Sequence, residues 1–559
     1  MIKVEDLTFF YKKSKTPILK NISFSISRGE SIAIMGHTGA GKSSLLLTFN
    51  GIIPKFIKGK LSGDVLIDGK STINSKVPEL SSKVGIVFQD FEIQLFSTNV
   101  ELEAAFLPEN LGLDRTEMKS RVLKYLDLVG LKENLDRQPA ELSGGEKQRL
   151  AIASVLTGEP DIICFDEPTT DLDPEGKREI FEIAHTLQRE KNTTLVMVEH
   201  EVEEVASFDR IFLMKNGEIQ RIGSPNEMFK DINELKEMNI KPPQVSEYFY
   251  HKGSKEIPVD LGKACEMFHV KQFKFDDKKF SELKLKESDL NYKDREIHIS
   301  TRNLCFRYSK NSPVVIKDIN LDIHRGEYVA ILGSNGSGKT TLIKHFNGLL
   351  TPTEGDVFVN GTKTRSMKIH ELGKIVGYVF QNPDHQIFSE RVWDEVAFGP
   401  KQLGFSKEEI EINVSDALSA VGLESHKDSD PFSLTKGERQ RVAVASALAA
   451  KTDVLIFDEP TTGLDYNELK GMLSLIDKLN SDGHTIIIVT HSMWVASENA
   501  HRVVVMKDGQ ILKNGITREV FSDIDTIHKA SLQIPQISLF SQSVSGKTVL
   551  SVDEMLYCT

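Results

Sequence analysis

A glycine-rich octapeptide runs Gly36-His37-Thr38-Gly39-Ala40-Gly41-Lys42-Ser43, between a predicted strand, Ser31 to Met35, and a predicted helix that follows Ser43. A second runs Gly333-Ser334-Asn335-Gly336-Ser337-Gly338-Lys339-Thr340, after a predicted strand at Tyr328 to Leu332. Glycines let the backbone wrap around an anion, so that amide N–H groups and a helix N-terminus face it. Each octapeptide therefore predicts a phosphate-binding loop at the end of a strand.

The two loops belong to an internal repeat. Phe88-Gln89 recurs as Phe380-Gln381, and 381 − 89 = 292 positions. Asp166-Glu167 recurs as Asp458-Glu459 with the same spacing, 458 − 166 = 292. The lysines of the loops lie 339 − 42 = 297 positions apart, so the first copy has 297 − 292 = 5 extra residues after its loop. A duplicated domain is indicated, and its boundary is expected within the lysine-rich stretch from Lys271 to Arg295.

Strand and helix signals alternate within each copy, which predicts an α/β fold. Apolar runs predict buried parallel strands at Ile162 to Phe165, Leu195 to Val198, Val454 to Phe457 and Ile486 to Val489. Helices are predicted after Ser43, Glu146, Thr340 and Glu438. A chain of 559 residues is too long for one core. The expected organisation is a first domain at 1–240, its tail and a linker at 241–296, a second domain at 297–530 and a tail at 531–559.

Both octapeptides fit G-x-x-x-x-G-K-[ST], the pattern of a loop that binds ATP and Mg²⁺. Lys42 and Lys339 are expected to reach the β- and γ-phosphates. The metal is expected to contact Ser43 and Thr340, with Asp166 and Asp458 acting through water. Glu167 and Glu459 follow those aspartates and are predicted to polarise the attacking water. A pair of helix-capping acids is the alternative for each Asp-Glu, but the apolar run before it and the Pro-Thr-Thr after it argue against that interpretation.

A further string, Leu142-Ser143-Gly144-Gly145-Glu146-Lys147-Gln148-Arg149, resembles the signature motif of the ATP-binding-cassette (ABC) family. The resemblance implies two P-loop NTPase domains in tandem, each with a RecA-like core and a helical subdomain. It also implies head-to-tail pairing, in which the signature of one domain contacts the ATP held by the other. Ser143 and Gly145, and in the second copy Thr435 and Gly437, would make that contact. A simple helix-capping box explains Ser143 and Glu146 but not the whole string.

The resemblance extends to paired positions in both copies. It implies γ-phosphate and metal sensing by Gln89 and Gln381, and adenine stacking by Tyr11 and Tyr308. It implies a switch role for His200 and His491, which are predicted to end the last buried strands, and communication between domains through Asp173 and Asp465. The second signature, Leu434-Thr435-Lys436-Gly437-Glu438, has a lysine in place of the first glycine. Unequal ATP sites are therefore expected, with the Lys339 site fully consensus.

The segment Gln381-Asn382-Pro383-Asp384-His385-Gln386-Ile387-Phe388 resembles the ATPases of energy-coupling-factor importers of vitamins, their precursors or metal ions. That likeness implies an ATPase coupled to transmembrane transport, peripheral on the cytoplasmic side of the cell membrane. Its partners would be transmembrane subunits and a separate substrate-binding membrane protein, docking beside Gln94 and Gln386. The alternatives are a tandem sugar-importer ATPase and a soluble tandem ABC protein of ribosomes or nucleic-acid machinery. The transported substrate is not encoded in a motor subunit.

Charge, cysteine spacing and hydropathy disfavour some functional classes. The net charge of −12 disfavours a nucleic-acid partner, because phosphate binding requires a basic surface. The four cysteines are scattered, without the spacing of a disulfide framework or zinc site, which suits a reducing cytoplasm. No apolar run reaches the roughly 18 residues of a transmembrane helix. The strand-like start from Ile2 to Tyr11 does not resemble a secretory leader.

Overall fold

The computed structural model describes residues 1–170, 172–289 and 292–559. The chain divides into two compact units, Met1–Ser246 and Glu247–Thr559. This division lies earlier in the chain than the stretch from Lys271 to Arg295 in which the sequence placed the boundary. Residues that follow the first domain in sequence therefore pack with the second.

Among its described residues, the first unit contains ten strands, ten whole helices and the start of an eleventh. The strands are β1 Ile2–Tyr11, β2 Leu19–Ile26, β3 Ser31–Met35, β4 Gly59–Ile67, β5 Lys70–Ser71, β6 Val84–Val87, β7 Ile162–Asp166, β8 Thr194–Val198, β9 Arg210–Lys215 and β10 Glu218–Gly223. The helices are α1 Lys42–Phe49, α2 Ile52–Lys55, α3 Val77–Ser81, α4 Val100–Asn110, α5 Arg115–Leu128, α6 Gly144–Leu156, α7 Pro174–Lys191, α8 Val202–Val205, α9 Pro225–Met228, α10 Ile232–Glu237 and α11 Gln244–His251, which crosses the division.

The second unit repeats this order of strands. Its strands are β11 Ile297–Phe306, β12 Ile316–His324, β13 Tyr328–Leu332, β14 Glu354–Val359, β15 Thr362–Lys363, β16 Val376–Val379, β17 Val454–Asp458, β18 Thr485–Val489, β19 Arg502–Lys507 and β20 Gln510–Ile516. Its helices are α12 Leu261–Val270, α13 Asp277–Asp289, α14 Lys339–Phe346, α15 Ile369–Leu372, α16 Val392–Gln402, α17 Lys407–Ala420, α18 Lys436–Ala449, α19 Tyr466–Ser481, α20 Met493–Asn499, α21 Thr517–Ser522, α22 Ile524–Lys529, α23 Gln536–Ser545 and α24 Val552–Tyr557.

Each unit has a six-stranded sheet whose order is β10-β9-β3-β8-β7-β6 in the first and β20-β19-β13-β18-β17-β16 in the second. The five strands from β9 to β6 are parallel, as are their counterparts. Strands such as β3 and β7 are buried along their whole length, because helices or a second sheet cover both faces. The carboxyl ends of parallel strands meet at one edge, so the loops after β3, β6, β7 and β8 lie together.

The other parts of each unit pack on this sheet. A four-stranded antiparallel sheet, β2-β1-β4-β5 or β12-β11-β14-β15, closes one core. Helices α4, α5 and α6 pack against one another, as do α16, α17 and α18. The α/β class with a P-loop core and a helical subdomain, expected from the sequence, is confirmed.

One strand prediction is wrong. His200 and His491 each follow a buried strand, but these strands are not the last buried ones. Strands β9 and β19 come later in the chain and are also buried, because each lies inside its sheet beside β3 or β13. Cys164 lies in β7 and is buried, as its strand position predicted.

The tails form one aromatic cluster within the second unit. Helix α12 packs on α23, and the rings of Tyr248, Phe249, Phe268 and Phe273 surround Phe540 or one another at centroid distances of 5.2–6.3 Å. Aromatic contacts of this kind stabilise a core beyond the area they bury. The segment after the first domain and the C-terminal segment therefore share a small core.

A buried arginine joins three helices beside this cluster. Arg518, in α21, is only 3% exposed. Its Nη2 lies 2.7 Å from a carboxylate oxygen of Glu287 in α13 and 2.6 Å from one of Glu554 in α24. Its Nη1 also donates to the Thr548 carbonyl oxygen at 2.6 Å. Although burial opposes it, the hydrogen bonds to Glu554 and Glu287 raise the pKa of Arg518, so the guanidinium stays charged.

None of the helices in the described part of the chain has the length and hydropathy that a bilayer crossing requires.

Candidate nucleotide-binding sites

The first octapeptide forms a tight turn between β3 and α1. Gly36 and Gly41 have φ values of 150° and 101°, a region that L side chains rarely adopt. A Cβ atom on Gly36 would lie 2.1 Å from the Met214 carbonyl oxygen, and one on Gly41 would lie 2.6 Å from that of Ile18. Only glycine fits at these two positions. Within the described residues, no side chain caps the start of α1, and uncapped amide N–H groups at a helix start favour anion binding.

The lysine of each loop folds back across the turn. Lys42 Nζ donates to the carbonyl oxygens of Gly36 and His37 at 2.8 and 3.1 Å. Lys339 Nζ donates to those of Gly333 and Ser334 at the same distances. The remaining residues of the octapeptides lie in the same two turns. They are Thr38, Gly39 and Ala40 in the first and Asn335, Gly336, Ser337 and Gly338 in the second. Each turn thus holds a buried ammonium beside a glycine cradle, which suits a polyphosphate.

A hydroxyl and a carboxylate meet next to each loop. Ser43 Oγ donates to Asp166 Oδ1 at 2.9 Å, and Thr340 Oγ1 donates to Asp458 Oδ1 at 3.1 Å. Burial raises the pKa of Asp166 to about 6 and also raises the pKa of Asp458. A divalent cation would reverse that effect.

These oxygen donors fit Mg²⁺, which prefers one or two carboxylates plus phosphate oxygens and water. In the part of the chain that the structure describes, no group of three or more His, Cys, Asp or Glu residues forms an all-protein metal cage.

Each glutamate after β7 or β17 contacts the histidine that was predicted to act as a switch. His200 Nε2 lies 2.8 Å from Glu167 Oε1, and Gln89 Nε2 donates to Glu167 Oε2 at 2.9 Å. In the second unit it is Nδ1 of His491 that lies 2.9 Å from Glu459 Oε2. The two histidines therefore contact their glutamates through different ring nitrogens.

The backbone helps to direct these glutamates. Glu167 and Glu459 have φ values of 49° and 50°, in the sparsely populated left-handed region. Strain of this kind is concentrated at functional sites. Although burial opposes it, the charge of His491, its hydrogen bond and the charge of Lys339 lower the pKa of Glu459. These interactions favour the ionised form of the Glu459 carboxylate.

The adenine-stacking candidates lie beside the helices that follow the loops. Tyr11 OH is 2.8 Å from Ser44 Oγ, and Tyr308 OH is 3.0 Å from Thr341 Oγ1. Both rings are exposed, and each also contacts a phenylalanine edge to face. An exposed ring that is anchored by its hydroxyl is suitable for stacking on a base.

The signature residues lie at the starts of helices α6 and α18. Ser143 and Thr435 are the N-cap residues of α6 and α18, and each forms a capping box with the glutamate three residues later. No hydrogen bond or ion pair in the described ranges joins Ser143, Gly145, Thr435 or Gly437 to the loop of the same unit. Asp173 and Asp465 likewise cap α7 and α19. Their roles toward a nucleotide remain predictions.

One residue at the second site was missed by sequence reasoning. Tyr378 OH donates to Asp458 Oδ2 at 2.6 Å. The corresponding position in the first copy is Ile86, since 378 − 292 = 86. Comparing the two copies position by position, rather than motif by motif, would have found this difference.

The fold and the two sites define a tandem pair of P-loop nucleotide-binding domains. A family model described as ABC transporter matches residues 19–170 and 316–462. A protein of Caldanaerobacter subterraneus subsp. tengcongensis, named provisionally as an ABC transporter ATP-binding protein, is 46% identical over 562 residues, covering 100% of this chain and 98% of that protein. A similarly named protein of Methanosarcina acetivorans is 39% identical over 556 residues, covering 96% and 89%. The chain belongs to the family of ABC transporter ATP-binding proteins.

A solved structure also matches. It is that of CbiO1 from Clostridium perfringens, described as part of the ABC transporter complex CbiONQ. It is 35% identical and covers 44% of this chain and 98% of that one, with a TM-score of 0.39.

Proposed function

We propose that the chain hydrolyses Mg·ATP and couples the reaction to a transmembrane transporter. The observation that carries the proposal is the convergence, in each unit, of the loop lysine, the hydroxyl–carboxylate pair and the glutamate–histidine pair at the carboxyl edge of one parallel sheet. Positioned charges and a base are the parts that phosphoryl transfer needs.

Each side chain has a distinct part in this mechanism. Lys42 and Lys339 bind the phosphates, and the amide groups at the starts of α1 and α14 orient them. Bound Mg²⁺ supplies charge neutralisation on the phosphate oxygens, and Ser43, Asp166, Thr340 and Asp458 would hold it, with Gln89 and Gln381 as further candidates. Glu167 and Glu459 polarise a water in line with the γ-phosphate, while His200 and His491 fix their carboxylates. The head-to-tail pairing and the unequal sites inferred from Lys436 remain predictions.

Replacing Lys42 and Lys339 together by alanine tests the hydrolysis. We expect Mg·ATP affinity to fall by about ten- to a hundredfold at each site, because a charge-assisted hydrogen bond to phosphate is lost. Isothermal titration with a non-hydrolysable ATP analogue and phosphate release by the full chain are the measurements. Unchanged binding and turnover in the double variant would contradict the proposal.

The coupling is supported by two exposed aromatic pairs at equivalent positions. Phe96 and Phe106 are 62% and 46% exposed and meet at 4.6 Å, while Phe388 and Phe398 are 61% and 43% exposed and meet at 4.8 Å. Each pair joins the segment that follows Gln89 or Gln381 to α4 or α16. Exposed apolar patches of this kind are typical of protein-binding surfaces. A helix of a transmembrane partner would place its apolar face there.

The glutamines beside these pairs brace the connection to the catalytic edge. Gln94 Oε1 accepts from the Phe88 backbone N–H at 2.9 Å, and its Nε2 donates to the Ile86 carbonyl oxygen at 3.2 Å. Gln386 Oε1 accepts from Phe380 N–H at 3.3 Å. Phe88 precedes Gln89, which contacts Glu167. A movement of the aromatic pair could therefore be transmitted through Gln94, Phe88 and Gln89 to the proposed base, Glu167.

The finer assignment is an energy-coupling-factor importer of a vitamin, vitamin precursor or metal ion, peripheral on the cytoplasmic face. It is supported by the resemblance of Asp384-His385-Gln386-Ile387-Phe388 to that group. Purification from detergent-solubilised membranes distinguishes the alternatives. Recovery with a small hydrophobic membrane protein supports the importer, whereas recovery with ribosomal particles would overturn it.

Changing Phe388 and Phe398 together to serine is expected to lower that recovery even with Phe96 and Phe106 in place, because two exposed aromatic anchors of one docking surface are lost. Leu512→Ser is the matched control, since Leu512 is 44% exposed and belongs to β20 rather than to the segments that carry the pair. The amount of membrane partner co-purified per chain is the measurement, with the thermal midpoint as a check on folding. Equal recovery of the partner by the phenylalanine variant and the control would contradict the docking surface.

A further inference from the structure

We propose that Tyr378 is a positioning residue for the metal-binding carboxylate of the second unit, and that it makes this site bind a divalent cation with nucleotide more tightly than the first. This inference rests on the proposed function, because it assigns Asp458 to the metal. It concerns a position that the nucleotide-binding motifs do not include.

The geometry fixes both oxygens of one carboxylate. Tyr378 OH donates to Asp458 Oδ2 at 2.6 Å, while Thr340 Oγ1 donates to Oδ1 at 3.1 Å. Strands β16 and β17 pair in parallel with Tyr378 opposite Ile456, so the tyrosine reaches forward to the last residue of the neighbouring strand. The carboxylate of Asp458 is thus held from two elements.

The tyrosine is itself held in place. Its ring meets that of Phe380 at 4.8 Å with an interplanar angle of 66°. Phe380 is in turn fixed through backbone hydrogen bonds with the side chains of Gln386 and Gln440.

The first unit lacks this arrangement. Its Ile86 stands opposite Cys164 in the same strand register and has no hydroxyl to donate. Asp166 accepts from Ser43 at 2.9 Å, as Asp458 does from Thr340, and both carboxylates are buried. The two sites therefore have equally buried aspartates, each accepting a hydrogen bond from the hydroxyl next to the loop lysine. They differ at the second carboxylate oxygen, which accepts from a tyrosine in the second unit.

Fixing a carboxylate before the metal arrives strengthens binding, since less side-chain freedom is lost on binding. A carboxylate has about four lone-pair positions, so two donated hydrogen bonds leave room for a cation or its water. Removing the tyrosine hydroxyl should therefore weaken cation binding at the second site by about threefold to tenfold. Nucleotide binding without metal should not change, because Tyr378 acts only through Asp458.

The test uses the full chain with Lys42→Ala, so that nucleotide loads chiefly at the second site. Tyr378→Phe and Tyr378→Ile, the latter reproducing the first site, are compared for Mn²⁺ binding in the presence of a non-hydrolysable ATP analogue by electron paramagnetic resonance. A fluorescent ATP analogue measures nucleotide affinity with the metal chelated. Tyr328→Phe is the matched control, since Tyr328 is also a buried strand tyrosine and its hydroxyl has no hydrogen-bond partner among the described residues.

Both Tyr378 variants are expected to raise the Mn²⁺ dissociation constant by that factor, with metal-free nucleotide affinity and the control unchanged. The KM for Mg²⁺ in turnover should rise more than kcat falls. Wild-type metal affinity in Tyr378→Phe would overturn this inference alone. Failure of the Lys42→Ala parent to bind Mn²⁺ with nucleotide would instead overturn the proposed function.

Discussion

Replacing Glu167 and Glu459 together by glutamine is expected to lower ATP turnover by about a hundred- to ten-thousandfold, the usual contribution of a positioned general base. Glutamine keeps the shape of glutamate and can still hydrogen bond to His200 or His491, but it cannot accept a proton from water. Nucleotide affinity should therefore be retained. Steady-state phosphate release and analogue binding, measured on the same preparation, separate the two effects.

The matched control is Glu133→Gln, which removes one exposed carboxylate outside the nucleotide-binding motifs. It should leave turnover unchanged. A double variant that keeps more than about a tenth of wild-type turnover would exclude these glutamates as the principal bases. The single variants then measure how turnover is divided between the sites. A larger loss for Glu459→Gln is expected from the consensus character of the Lys339 site, and equal losses would count against unequal sites.

Replacing Arg518 by alanine is expected to destabilise the second unit by about 3–5 kcal/mol, because it leaves two partly buried carboxylates without their charge partner. Glu287 and Glu554 are mostly buried and both contact the guanidinium. The Thr548 carbonyl oxygen also loses a donor. Helices α13 and α24 would then lose their common link to α21.

Denaturant unfolding followed by tryptophan fluorescence measures this loss selectively. The chain has two tryptophans, Trp393 and Trp494, and both belong to the second unit. Arg325→Ala is the matched control, since Arg325 pairs with Glu296 and Asp453 at an exposed position, where an ion pair contributes about 0–1 kcal/mol. Adding Glu287→Gln and Glu554→Gln to the Arg518 variant should restore part of the stability. A shift no larger than that of the control would show that the arginine cluster does not hold the helices.

The sequence predicted those parts of the fold that depend on short patterns of neighbouring residues. Strands β3 and β13 have the bounds that the sequence predicted, because glycine-rich loops and apolar runs are signals within a few residues. The candidate site residues could be identified for the same reason. Each belongs to a short motif, and the motifs follow one another in the same order in both copies. The convergence of Gln89, Glu167 and His200 then follows from parallel strands ending at one edge.

Other features depend on contacts between residues that are distant in sequence, and short sequence patterns do not reveal such contacts. Phe268 and Phe540 lie far apart in sequence, and nothing near either one identifies its partner. Strand β9 was overlooked as a later buried strand because its short apolar run is bounded by Arg210 and Lys215. The bond from Tyr378 to Asp458 depends on strand register, which is set by the whole sheet.

The shared aromatic core of the tails has a consequence for how such a gene can evolve. Phe540 packs against rings at 248, 249 and 268, which are encoded upstream of the second repeat. Gene fission at the repeat boundary would separate those rings from Phe540 and leave an apolar surface on both products. The fused arrangement is therefore retained by packing, and a split into two half-length genes would require compensating polar substitutions on each side of the break.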